Sequence, residues 1–388
     1  MFVPIGNTPR DYAWGSTTAI AGLLGTEPSG GPEAELWLGA HPGSPARVLD
    51  PALTDGAPDL ASWQPTHDLP YLLKVLAADG PLSLQAHPSP EQARAGFERE
   101  NAAGLAAGSP DRNYKDPFHK PELIFALSDP FEALCGFRDP AESRDALLRL
   151  AAATPGGAVL SGFARTLEGE PGEVLRRATE WILGDDTEVD LLVTEVVAAA
   201  QKLADDRDAD TVRMLHAAFP GDPGIVLALL LNRATLRPGQ VLYLPAGNIH
   251  AYLRGLGIEL MAASDNVLRG GLTRKRIDVP ELVSVLDFTP IEAAPLAPEH
   301  PAPGVEVFRP DVPDFRLTRV AVGGEVASAE LPLDGPAIAL CTEGTLELHG
   351  RSGSFTVHRG ESVLVTPDEG PLGVASGAGT LFVATPNR

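Results

Sequence analysis

Between residues 81 and 88 the chain reads Pro-Leu-Ser-Leu-Gln-Ala-His-Pro, a strict alternation. In extended backbone Leu82, Leu84 and Ala86 fall on one side, and Ser83, Gln85 and His87 on the other. Turn formers flank it, Asp79-Gly80-Pro81 before and Pro88-Ser89-Pro90 after, so the run predicts one short strand. An edge strand wetted on its polar face would look like this. So would the wall of a polar site. Up to about residue 140, short apolar bursts at 35–39, 71–76 and 123–127 stand between Gly- and Pro-rich turns, with one helical interval at 90–103. That rhythm predicts an antiparallel sandwich or barrel.

The period then changes. Asp139-Pro140 is an N-cap followed by proline at the first helical position, and helical spacing runs through 141–153, 172–183, 187–204 and 209–219. This block carries little chemistry, and its lone His216 reads as a packing or surface residue. Strand signals return at 232–236, 241–244 and 257–261. After a Pro/Ala-rich stretch at 293–303, residues 344–350 and 355–365 alternate around glycine corners, as in a small jelly-roll barrel. His349 and His358 lie there without a carboxylate and second imidazole at matching positions, and read as solvated strand histidines.

Composition narrows the function classes. The 388 residues allow two or three domains, and 44% hydrophobic with 21% charged residues fits a globular protein. A formal net charge of −22 makes nucleic acid and anionic membranes poor partners for the surface as a whole. An anionic small substrate would need a local group of cations. The first residues, Met-Phe-Val-Pro-Ile-Gly-Asn, have no basic stretch leading into a long apolar core, so no signal peptide is expected. The apolar run 225–231 is too short for a bilayer. Cys135 and Cys341 suggest no disulfide framework, and the expected compartment is the cytoplasm.

Three further segments match the polar face at 83–87. Lys120 and Glu122 are two apart and share a face. A Pro-Ala-Gly-Asn turn at 245–248 delivers His250 and Tyr252 to one face of the next strand. Gln85, His87, Glu122 and His250 together offer two imidazoles, a carboxylate and an amide, a donor set suited to zinc with a position left open. No two of them form a compact ligand motif, and scattered polar strand residues would give the same list. The segment 264–275 supplies Arg269, Arg274 and Lys275 around the pair Gly270-Gly271, an anion-site pattern in so acidic a chain that Lys74 could join. A basic surface loop is the plainer reading, above all for Arg274.

Taken with residues 12–15, 35–42, 73–76, 119–127, 245–252 and 282–288, these stretches resemble the type I mannose-6-phosphate isomerases, zinc enzymes of the cupin superfamily. Arg274 and Gly270 stand where that family often has proline and alanine, and neither change removes a chemical group. The resemblance implies a mainly β fold with a helical insert: two cupin-type jelly-roll barrels plus an α-helical domain. The expected division is 1–140 with 224–297 as the catalytic barrel, 141–223 as the insert and 298–388 as the C-terminal barrel. It also implies one zinc per chain, held by Gln85, His87, Glu122 and His250. Lys74, Ser83, Lys275, Tyr252 and Trp14 would face a sugar phosphate, with Arg269 and Lys120 near the reacting carbons.

The implied reaction, mannose 6-phosphate to fructose 6-phosphate, moves a proton between C1 and C2, most simply through a cis-enediol. Glu259 is the favoured base, expected on the strand after that of His250, with Asp265, His119 and Lys120 as competitors. A metal-assisted hydride shift uses the same residue types. A monomer without nucleic-acid or membrane partners is expected. Two other classes fit the barrel, a metal-dependent oxygenase and a non-catalytic sugar-binding protein. The cations argue against the first, and the pairing of an open metal site with candidate bases argues against the second.

Overall fold

The computed structural model describes residues 1–63, 69–106, 108–154, 157–184, 186–375 and 377–387. It is mainly antiparallel β structure with several helices, its strands gathered in a nine-stranded and an eleven-stranded sheet. Strand His250–Ala262 is the hub of the nine-stranded sheet. Its first residues pair with Leu84–Ala86 and Phe131–Phe137, and its later ones with Tyr71–Ala78 and Glu122–Ala126.

Alternation assigns the faces. On strand Tyr71–Ala78, Tyr71, Leu73, Val75 and Ala77 pack outward, in a core shared with Phe308, Leu317, Ile338, Leu364 and Phe382 of the second sheet. Leu76 and Ala78 point inward, beside Ile124, Ala126 and Tyr252. Both faces are covered, so the strand reads as an apolar run interrupted only by Lys74, on the inward parity. By the same count Glu122 points inward, because Leu123 and Phe125 belong to the outer core.

The hub strand changes parity midway. Ala251 and Leu253 pack on the helices, yet Ile258, Leu260 and Ala262 face the second sheet. The register shifts between Tyr252 and Arg254, and Gly255 follows at φ 128°, where a Cβ would stand 2.7 Å from Phe131. This irregularity puts His250, Tyr252 and Glu259 on one inner face, an even–odd combination that plain alternation forbids. Glu259 therefore shares the strand of His250, which corrects the expectation of a separate strand.

Two other expectations shift. The strand near residue 85 is Leu84–Ala86 alone, and Leu82 packs toward Trp14 and Tyr252 instead of sharing the face of Leu84 and Ala86. The helices Pro140–Ala152, Pro171–Ile182, Thr187–Ala200 and Arg207–Ala218 lie close to where periodicity predicts them. Ala158–Thr166 is an additional helix, hidden in the sequence by Ser161, Gly162 and the preceding glycines. These helices share one core with Leu84 and Ala86 of the sheet, with Ile249 just before the hub strand and with the buried run at 225–231. His349 and His358 are exposed, paired with Glu347 and Thr345 respectively, as expected of solvated strand residues. The N-terminal strand Phe2–Gly6 pairs with Ser362–Val365 in the eleven-stranded sheet.

Candidate active site

Strand register brings the predicted donors together. His250 lies opposite Gln85, and Glu122 opposite Met261. One ligating atom from each of His87, Glu122 and His250 falls within 4.8 Å of the others, and all three residues are buried. Backbone carbonyls fix both imidazoles. His87 Nδ1 is 2.7 Å from the Asn266 carbonyl and His250 Nδ1 3.0 Å from the Asn248 carbonyl. A carbonyl only accepts, so each Nδ1 carries the proton and each Nε2 presents a lone pair. Those lone pairs face the Glu122 carboxylate, His87 Nε2 at 3.3 Å and His250 Nε2 at 3.4 Å. His87 Nε2 has no hydrogen-bond partner among the described residues. Two imidazole lone pairs turned on a buried carboxylate repel one another unless a cation lies between them, which fits a metal. The Gln85 amide nitrogen lies 3.4 Å from His250 Nε2, and a half-turn of that amide exchanges nitrogen for oxygen.

Burial, partly opposed by Glu122, pushes the His87 imidazole down to about 4. Burial also works against the charge of Glu122, but Lys120 and His87 outweigh it and hold that carboxyl well below the usual range. Lys120 Nζ is 2.8 Å from Glu122 Oε1. Both groups bind fewer protons folded than unfolded, so stability rises with pH across the window in which His87 titrates. In metal-free protein the melting temperature of wild type relative to His87→Gln is therefore expected to fall as pH drops from about 6.5 toward about 4, a comparison that cancels Glu259, which burial raises and which works in the opposite sense. A difference that stays constant across that window, measured after chelation, would contradict the neutral, carbonyl-oriented state of His87.

A second buried group lies on the same inner face. Lys74 Nζ sits 2.8 Å from Glu259 Oε2 and 3.8 Å from Glu35 Oε1, and 5.0 Å from the centre of the Trp37 ring. Strand Glu35–Leu38 places Trp37 opposite Lys74, and the Trp37 indole donates to Glu35. Burial lowers the Lys74 ammonium, yet Glu259, Glu35 and Glu122 outweigh it and raise it overall. Burial raises Glu259; Lys74 opposes, while Glu122 and Glu35 raise it further. Tyr252 is raised by its burial and then by Glu259 and Glu122, and its hydroxyl has no hydrogen-bond partner among the described residues.

The cations of 264–275 gather elsewhere. Arg269 lies opposite Gln85 in the sheet, and its Nη1 donates to Ser83 Oγ at 3.2 Å. Arg269, then burial, then Lys115 lower the Lys275 ammonium, the mark of cations crowded together. Asp265 is held down chiefly by its bond to His41, 3.3 Å away. His119 is 2.8 Å from Asp314, which leaves these two base candidates already engaged. Trp14, half-buried, packs with Leu82 against the cluster of Tyr252.

Several contributors escaped the sequence reading. Glu35 and Trp37 share a strand face, a signal open to inspection. The Asn248 and Asn266 carbonyls are main-chain groups, and no residue type announces them. The Asn266 side chain also binds the backbone of Lys115, Asp116 and Phe118.

An antiparallel β protein with a buried His–Glu–His centre, an adjoining Lys–Glu pair and a separate cation group has the layout of a metal-dependent enzyme for a small anionic substrate. The profile described as phosphomannose isomerase type I, catalytic domain, matches residues 2–140. The mannose-6-phosphate isomerase of Escherichia coli K12 is 36% identical over 387 residues, covering 95% of each chain. The human mannose-6-phosphate isomerase is 32% identical over 385 residues, covering 88% of each. A zinc-bound crystal structure of mannose 6-phosphate isomerase and one of a variant phosphomannose isomerase from Salmonella typhimurium each superpose with TM-score 0.86 at 34% identity, over 100% of both chains. The chain belongs to the type I phosphomannose isomerase family.

Proposed function

We propose that this zinc-dependent isomerase interconverts mannose 6-phosphate and fructose 6-phosphate by carrying a proton between C1 and C2 through a cis-enediol. The observation that carries the reading is the pair of imidazole lone pairs turned on Glu122. Zinc held there by Gln85, His87, Glu122 and His250 would supply a Lewis acid for the sugar oxygens. Ser83, Arg269 and Lys275 take the phosphate end, where the cations gather. Binding energy from that remote group holds the open-chain sugar in register for proton transfer. Lys74 belongs with Glu259 more than with the phosphate, since its ammonium is already matched by buried carboxylates.

Glu259 is the base. Lys74 keeps it ionised, while burial and the neighbouring carboxylates strengthen its hold on a proton, as a group that must take one and return it requires. Lys120 and Arg269 stabilise the developing oxyanion, and the free Tyr252 hydroxyl is placed to donate beside Glu259. In D2O the product is expected to gain carbon-bound deuterium. Complete retention of the substrate hydrogen through many turnovers would favour a hydride shift. Chelation should abolish activity in a coupled assay, and added zinc should restore it.

Arg269 contacts Ser83 yet neighbours Gln85, so it stands between the phosphate and the reacting carbons. Arg269→Lys is expected to lower kcat by about 10²–10³ with zinc content unchanged, because lysine lacks the planar donor fork. A raised KM at wild-type kcat would restrict Arg269 to phosphate binding.

We read residues 1–140 with 224–297 and residues 298–388 as two cupin-type jelly-roll barrels, with 141–223 inserted as a helical domain. The two sheets support this division, although Phe2–Gly6 joins the second of them. Both cysteines are buried and free, which suits the cytoplasm, and among the described residues no helix is long and apolar enough to cross a membrane.

A further inference from the structure

We propose that Asp222, where the helical insert returns to the sheet, is a positioning residue that sets the turn between Arg269 and Lys275 and so shapes the phosphate grip. The proposal rests on the reading of that turn as the phosphate site. Asp222 Oδ1 accepts from the Gly224 N–H at 2.8 Å, a bond within its own loop. The other two bonds come from fifty residues further on. Leu272 N–H donates to Oδ1 at 2.8 Å and Thr273 N–H to Oδ2 at 3.1 Å. A carboxylate that only capped the short helical turn Gly224–Leu227 would have no use for them.

The turn needs such a clamp. Leu272 has φ 54°, in the left-handed region a non-glycine residue seldom occupies, and its side chain is wholly buried in the core of the insert helices. Next to it Gly271 has φ 124° and lies so close to Gly224 that a Cβ would stand 2.7 Å from the Gly224 Cα. The end of the insert and the residue just after it thus grip the turn, through one carboxylate and one backbone contact, and the Leu272 side chain is buried against the insert helices. Upstream, Arg269 is fixed in the sheet opposite Gln85. Downstream, the Thr273 hydroxyl accepts from the Lys275 N–H at 3.1 Å. Asp222 therefore governs how far Lys275 stands from Arg269. Two neighbouring cations repel, and the turn would relax apart if its N–H groups were released. The insert, which contributes no proposed chemical group, gains a task in the reaction.

The test uses zinc-loaded Asp222→Ala, Asp222→Asn and Lys275→Ala enzymes. Readouts are KM and kcat for mannose 6-phosphate, Ki for inorganic phosphate as competitor, zinc content and melting temperature. Asp222→Ala leaves three backbone donors without their acceptor, Leu272 and Thr273 in the turn and Gly224 in its own loop, and KM and phosphate Ki are expected to rise about tenfold, with kcat within about threefold and zinc complete. Asp222→Asn keeps Oδ1 and loses the acceptor for Thr273, so it should fall between wild type and Asp222→Ala. Should Asp222→Ala fail to fold, the same split is read from Asp222→Asn. A lowered melting temperature with unchanged phosphate Ki would reduce Asp222 to a structural cap and overturn the inference. Lys275→Ala separates the two levels. If it raises phosphate Ki and the Asp222 variants do not, the inference fails alone; if it leaves phosphate Ki unchanged, the phosphate reading of the turn falls with it.

Discussion

His250→Ala is expected to lose its zinc and, with it, isomerase activity down to the level of the chelated enzyme. His250 Nε2 is one of two lone pairs aimed at Glu122, and its ring is held by the Asn248 carbonyl, so alanine removes a donor already oriented for the metal. Outer partners of a metal ligand typically contribute about 10–100-fold in affinity, and removing the ligand itself should exceed that. His87→Ala should behave alike, since its ring is oriented the same way by Asn266. In both variants Lys120 remains against Glu122 at 2.8 Å, so the carboxylate keeps a countercharge and the fold should survive. Elemental analysis and the coupled assay on one preparation decide the matter. A His250→Ala enzyme carrying one zinc per chain and near-normal activity would sink the ligand assignment.

Three donors of this centre, Gln85, Glu122 and His250, were legible because each lies on a strand with a two-residue period, and that period survives wherever the strand is regular; His87 stands one residue past the end of Leu84–Ala86. Gln85, Glu122 and His250 could be assigned to a polar inner face before any pairing was known. Glu259 could be named as a base, but its place could not be read. The shift between Tyr252 and Arg254 exchanges the inward and outward parities of one long strand, and depends on how two partner strands end, which local sequence does not encode. The partners of Lys74 were hidden for a related reason. A lysine in an apolar run suggests an anion nearby, but only cross-strand register tells a substrate phosphate from Glu259 and Glu35. Leu82 shows the limit of alternation itself, since the ladder begins two residues later and its side chain answers to Trp14 and Tyr252. Asp222 lay beyond any such reading, because its role comes from two N–H groups of a distant turn.

Glu259→Gln is expected to lower kcat by about 10²–10⁴, the usual contribution of a positioned acid–base group, with zinc content unchanged and KM little affected. Glutamine has nearly the shape of glutamate and can still accept from Lys74, so the buried contact can persist while proton capacity is lost. The pH profile gives the discriminating signature. Burial and the carboxylates Glu122 and Glu35 raise Glu259 above its ordinary value of 4.5, Lys74 opposing. A base must be ionised to act, so wild-type kcat/KM should fall on acidification through a pKa above that ordinary value. The limb should disappear in Glu259→Gln, whose residual rate should gain no acid dependence from this position. Deuterium uptake from D2O should slow in parallel with turnover if one group both removes and returns the proton. A Glu259→Gln enzyme with wild-type kcat and an unchanged acid limb would pass the base role to Lys120, which already lies against Glu122 at the centre.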